Sequence, residues 1–281
     1  MKLNPSRLMS LRMPPRELAY AERETMLYAL SVGLGATAAA EDLPFVYEHG
    51  LRVVPSMATM LSFDDSWIEP AGIDLRVVVH GALDLTFHAP LLPAGAAEVT
   101  SRIIGLDDKG EGRGGLVFQE SVVRQRGIAA CTVISTLFAR GAGGFGGPTG
   151  TQVEAAPVPQ AAPDQTAEVT TAANQALLFR LLGDRNPLHA DPGLARSVGF
   201  ERPILHGACT FGIACAEVLR RFADRDPARL GRFAARFAGP LYPGEALCFA
   251  FWRDGARIAF RAFAADRDAI VLDNGLALLK P

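Results

Sequence analysis

Apolar and polar positions alternate with a period of two over residues 98–104, 115–123 and 128–140, and again over 246–252, 257–264 and 270–278. That period predicts two sets of half-buried strands, each close enough in sequence to run as an antiparallel meander. A segment with apolar residues at helical spacing precedes each set, over 22–32 and 210–222, and two further helical runs cover 176–182 and begin at 190. Each meander also follows a Pro-Leu-x-Pro turn, Pro90-Leu91-Leu92-Pro93 in one case and Pro240-Leu241-Tyr242-Pro243 in the other. One helix against an antiparallel sheet, occurring twice, predicts an α+β fold with two similar halves. Residues 141–168, rich in Gly, Pro and Ala, have the composition of a connector, so the chain divides into 1–140, the linker 141–168, and 169–281.

Composition narrows the function classes. A chain of 281 residues, 49% hydrophobic and 21% charged with a net charge of −2, is an ordinary globular protein without the basic excess of a nucleic-acid binder. The four cysteines, Cys131, Cys209, Cys215 and Cys248, show no CxxC spacing and lie in apolar runs, which predicts reduced core residues. No apolar run reaches the roughly 20 residues of a membrane-spanning helix. The basic start lacks a secretory segment and the last residues are not Ser-Lys-Leu, so the default compartment is the cytoplasm. The glycines of the connector are not followed by Lys-Ser/Thr, which argues against a phosphate loop.

The stretch Gly183-Asp184-Arg185-Asn186-Pro187-Leu188-His189 places a carboxyl and an imidazole five residues apart around a proline that stiffens the backbone. Two readings stand side by side. Gly183 as a helix C-cap, Asp184 or Asn186 as an N-cap and Pro187 as a first helical residue would be structural punctuation. A carboxylate and an imidazole sharing a water would be equipment for moving protons near neutral pH. The loop's position between two helical runs is compatible with both.

Phe179 to His189 (FRLLGDRNPLH), with Ile204-Leu205-His206-Gly207 and the helix after it, resembles the signature of the hydratase 2 group of MaoC-like proteins, R-specific 2-enoyl-CoA hydratases built on the hot-dog fold. The first half resembles the double hot-dog members of that group through Tyr28-Ala29-Leu30-Ser31-Val32-Gly33, Phe45-Val46-Tyr47-Glu48-His49-Gly50, residues 51–55, Val79-His80-Gly81 and Asp108-Lys109-Gly110. Leu182 stands where members often carry a small hydroxyl residue, and Ala82-Leu83 where they often carry Glu-Gln. These departures bear on the substrate and leave the reaction type as expected.

The resemblance implies a double hot-dog, two antiparallel sheets each wrapping a central helix, and a lyase of fatty-acid β-oxidation. Its activity would be reversible hydration of trans-2-enoyl-CoA to (3R)-3-hydroxyacyl-CoA. It assigns Asp184 and His189 to one activated water and the backbone N–H of Gly207 to the thioester oxygen. An unpaired N–H at the start of an apolar helix suits that last role. Asn186 either orients Asp184 or contacts substrate, with an Asx turn as the structural alternative. His206 reads first as a capping or packing histidine. His80, Gly81, Lys109, Phe237 and Glu48 are further substrate-binding candidates by resemblance. No metal or separate cofactor is expected, CoA being part of the substrate, and the expected assembly is a homodimer. The first half, lacking a matching catalytic loop, is expected to accommodate the acyl tail along residues 53–63. A hot-dog acyl-CoA thioesterase and a non-catalytic acyl-CoA-binding protein are the alternatives.

Overall fold

The computed structural model describes residues 2–37, 40–146 and 157–281. In the first half, α1 (Pro5–Met9), β1 (Arg16–Tyr20), α2 (Glu22–Ser31), α3 (Leu43–Val46) and α4 (Ala58–Ser62) precede four long strands. These are β2 (Val78–Phe87), β3 (Gly95–Asp108), β4 (Gly114–Gln125) and β5 (Ile128–Arg140). The second half repeats the order with β6 (Gln165–Thr170), α5 (Gln175–Phe179), α6 (Pro192–Ser197), α7 (Gly207–Phe222), β7 (Leu230–Phe237), β8 (Ala246–Asp254), β9 (Arg257–Ala264) and β10 (Ala269–Leu279). The six strands expected from alternation are all present. β1, β2, β6 and β7 complete each half, and β6 begins inside the stretch with connector composition, of which residues 147–156 lie outside the described residues.

The strands join in the order β1-β3-β4-β5-β2-β7-β10-β9-β8-β6, every pair antiparallel. The two hot-dog sheets therefore meet edge to edge, β2 on β7, with Leu83 opposite Ala235 and Leu85 opposite Phe233. Asp84, buried, and Arg232, half-buried, cross this seam as a bidentate pair, 2.9 and 2.7 Å. That geometry recovers much of the desolvation cost of both charges and fixes register. Cys131, Cys209 and Cys215 are buried free thiols as expected, while Cys248 is half-buried on β8 with its thiol towards Glu168.

α7 is the central helix of the second half. From Cys209 to Leu219 every residue is buried, and Phe211 packs edge-on against Phe233 of the sheet, 4.7 Å between centroids. The first half differs from the sequence expectation in what lies directly before its sheet. The helix expected at 22–32 exists as α2, but it packs beside α3 and α5 and reaches α7 through Tyr28 and Val32. The place before β2 that α7 holds before β7 is taken by the turn Pro55–Met57 and α4, which lie against α7 and against β3, β4 and β5. Pro55 stands at the first position of that segment, where a missing N–H is tolerated, and the segment runs only to Ser62.

α2 and α7 touch at Gly212, where a Cβ would stand 2.5 Å from Val32 Cγ1 and 2.8 Å from the Tyr28 hydroxyl. Valine side chains are stiff, so the contact cannot relax cheaply. Gly212→Val is expected to destabilise the protein by about 3 kcal/mol through overpacking, measured as a lowered denaturant midpoint at unchanged m-value.

Candidate active site

The loop between α5 and α6 satisfies its own backbone. A short helical turn, Arg180–Leu182, continues α5 and stops at Gly183, whose φ of +131° favours glycine. Asn186 caps the next turn, Pro187–His189, its Oδ1 accepting the N–H of Leu188 at 3.0 Å, and its own N–H donates to Asp184 Oδ1 at 3.2 Å. The Asx alternative is thus realised, and the same turn orients the Asp184 carboxylate. Asp191 caps α6 by accepting from Gly193 and Leu194.

His189 is 9% exposed, and its Nδ1 lies 2.8 Å from the carbonyl of Ile204. A carbonyl only accepts, so Nδ1 carries the proton and Nε2 is left as a base. Burial, and secondarily Arg180, push its pKa below the ordinary imidazole value, while the Ile204 bond and Asp184 pull the other way. His206 stacks on it, centroids 3.6 Å apart at 25°, with Phe179 on its other neighbour contact at 4.9 Å. Its Nε2 donates to the backbone carbonyl of Asp184 at 3.1 Å, which ties the loop to the start of α7. Burial and the adjacent His189 push His206 down to about 3. It is therefore a neutral packing residue at physiological pH.

One ligating atom from each of Asp184, His189 and His206 lies within 4.8 Å of the others. Near-parallel imidazole planes aim their in-plane lone pairs side by side, which suits a stacked neutral pair better than convergence on one ion. Between Asp184 and His189 the spacing suits a shared water, since two hydrogen bonds of about 2.8 Å at a tetrahedral angle span about 4.6 Å.

These groups open into a cavity of about 350 Å³ at the seam of the halves, lined among others by Asp184, Asn186, His189, Gly207, His80 and Phe237. Six residues named from the sequence thus converge from the loop, from α7, from β2 and from the end of β7. Gly207 is the first residue of α7, no side chain caps that turn, and the Phe237 ring closes over it so that a Cβ would stand 3.1 Å from Cε1. Only a glycine fits beneath that ring without displacing it, and a first-turn N–H has no partner within the helix. His80 is pushed below the usual imidazole range by burial first, with Asp184 opposing.

The structure does not bring the other three to this cavity. Gly81 lies beside the β2 bulge against Thr136, Lys109 pairs with Asp107 at 2.5 Å, and Glu48 is exposed next to α3. Asp65, which sequence reasoning missed, sits at the mouth, its pKa raised first by partial burial and then by Asp184 and Asp64. It follows α4 in the chain, and no local motif marks it. Of residues 53–63, Thr59, Met60, Ser62 and Phe63 face a second, adjoining cavity, whereas Val53, Val54, Met57, Ala58 and Leu61 are core.

Two hot-dog halves joined through one sheet make this a double hot-dog protein, and its Asp/His loop faces the start of α7. The comparisons agree with that class. Residues 18–141 match the MFE-2 hydratase 2 N-terminal domain and residues 154–272 the MaoC like domain. Enoyl-CoA hydratase ChsH3 of Mycobacterium tuberculosis is 34% identical over 95% of this chain and 96% of its own. Peroxisomal multifunctional enzyme type 2 of Mus musculus is also 34% identical, this chain covering 38% of that longer enzyme. The crystal structure of a MaoC-like dehydratase from Phytophthora capsici superposes with a TM-score of 0.89 at 27% identity, covering 99% and 98% of the two chains. The chain belongs to the MaoC-like hydratase 2 family, and it is an enoyl-thioester hydro-lyase. No helix among the described residues is long and apolar enough to cross a membrane.

The lowered pKa values of His80, His189 and His206 make stability pH-dependent. Below about pH 6.5 the unfolded chain takes up protons that the folded site refuses, so stability is full above that pH and falls beneath it. The carboxyls that ion pairs hold low, Asp42, Glu245 and Asp273, lose stability only near pH 4 and below. The melting temperature is expected to drop between pH 7 and pH 5, and His206→Gln should flatten that slope.

Proposed function

We propose that the protein hydrates trans-2-enoyl-CoA at C3 to give (3R)-3-hydroxyacyl-CoA, and dehydrates the product in reverse, with Asp184 and His189 sharing the reacting water. The observation that carries this reading is that a ligating atom of each lies within 4.8 Å of the other, beside a cavity that Gly207, the first residue of α7, also lines. Neutral His189 Nε2 takes a proton from the water while Asp184 accepts its other hydrogen. The hydroxide oxygen bonds to C3, and the π electrons move onto the thioester oxygen, where the first-turn N–H of Gly207 and the α7 dipole stabilise the enolate. The imidazolium then returns its proton to C2, which completes addition of one water. Asp184 stabilises that transient cation. The 3R outcome follows the family resemblance. The ester is held at the seam with its tail towards the first half, and the free sheet edges β1 and β6 support a homodimer reading.

Asp184→Asn and His189→Gln are each expected to lower kcat about 10²–10⁴-fold, read by loss of enoyl-thioester absorbance. Release of free thiol would instead indicate a thioesterase. Because His189 works as a neutral base with a lowered pKa, kcat/KM should be flat through neutrality and fall only below about pH 6.5. An acid limb at or above that value would contradict the assignment.

A further inference from the structure

Behind Asp184 and His80 lies the second cavity, of about 50 Å³, between α4 and the inner face of β4 and β5. It shares Phe63, Asp65, Ile68, His80, Leu137, Asp184 and Ala208 with the main cavity. If C3 lies at the Asp184/His189 water and the thioester oxygen at Gly207, the carbons beyond C3 enter this second space. The inference below therefore rests on the hydratase reading.

Apolar side chains, among them Met60, Ile68, Leu83, Val133 and Leu137, form much of its wall, as an acyl tail requires, but a polar patch interrupts them: Gln119, Ser121 and Ser135 on the strands and Thr59 and Ser62 on the α4 side. Gln119 and Ser135 are direct cross-strand neighbours. Trp67 Nε1 donates to Gln119 Oε1 at 3.0 Å, fixing the amide, whose Nε2 donates to Ser121 Oγ at 3.3 Å; Ser121 in turn bonds Ser101 at 2.8 Å. One N–H of Gln119 is left over, and the Ser135 hydroxyl bonds to no described residue. Thr59 and Ser62 donate to the carbonyls of Ser56 and Thr59, at 2.8 and 3.3 Å, which leaves both oxygens free to accept. Gln119, Ser121, Thr59 and Ser62 are all more than nine-tenths buried. A methylene chain pushed against this wall displaces water from those groups and returns no hydrogen bond, whereas an oxygen on the chain replaces the water. Sites built to bond a substrate hydroxyl discriminate strongly against the analogue that lacks it.

We propose that this cavity is a tail subsite that selects enoyl-CoA esters carrying a hydroxyl or keto oxygen a few atoms beyond C3 over aliphatic esters of the same length. Its volume, at about 10–15 Å³ per water-sized group, admits about four such groups, so the preferred tail is short.

The test compares kcat/KM for crotonyl-, hex-2-enoyl-, 6-hydroxyhex-2-enoyl- and dodec-2-enoyl-CoA in the wild-type protein and in Ser135→Val and Gln119→Leu. Wild type is expected to favour the 6-hydroxy ester over the hexenoyl ester by about tenfold or more, with the dodecenoyl ester poorest. Ser135→Val, which breaks no protein hydrogen bond, should bring that ratio to about one or below, and Gln119→Leu should act in the same direction. A wild-type preference for the hexenoyl or dodecenoyl ester, or a ratio that Ser135→Val leaves unchanged, overturns the subsite while leaving the hydratase reading intact. Failure of wild type to hydrate any ester, crotonyl-CoA included, overturns both.

Discussion

Burial of α7 is the constraint on which the rest of the structure depends. A helix whose residues are buried from Cys209 to Leu219 has no solvent face, so sheet, α2 and the α4 segment must all close around it. Its apolar and small residues permit this, with Gly212 admitting Val32 and Tyr28 at contact distance. Its first turn, with Gly207 and Ala208 half-buried, borders the main cavity, where first-turn N–H groups have no partner within the helix. His206 and Gly207 sit at that turn. The site therefore follows from packing of the helix more than from the loop alone.

The Asp/His loop carries structure and chemistry in the same residues. Gly183 ends one turn, Asn186 and Pro187 start the next, and these bonds point the Asp184 carboxylate and the His189 ring into the cavity. His189 is held in one tautomer by Ile204, and the His206 stack adds a neutral aromatic wall that keeps charge out. The structural punctuation read from the sequence is realised, and the same bonds set the carboxyl and imidazole of the proposed chemistry beside one cavity.

The halves are similar in topology and unequal in content. A proline-started segment ending at Ser62 replaces a long central helix in the first half, and the space it leaves against β4 and β5 is the second cavity. The strand polar side chains of that cavity lie on the same face as Val117, Val133 and Leu137, two residues along from them, where local alternation leads one to expect apolar residues. Cross-strand register, which sets Gln119 beside Ser135, turns them into one surface.

Local chemistry was legible in the chain itself. Alternation marked β3, β4, β5, β8, β9 and β10 because each buries one face, and the GDRNPLH motif marked Asp184 and His189 because turn residues and reactive groups coincide there. β2 and β7 were not legible, since at the seam both bury polar side chains, Asp84 with Arg232, that break the pattern. Lys109 and Glu48 were legible as motif residues yet lie away from the cavity, and Asp65 lies at it with no motif. Sequence determined which residues could do chemistry and which strands would form, because those depend on neighbours in the chain. Which of those residues meet, and what walls the space between them, depended on pairing β2 with β7 and burying α7, contacts between residues far apart in sequence that only the folded tertiary structure brings together.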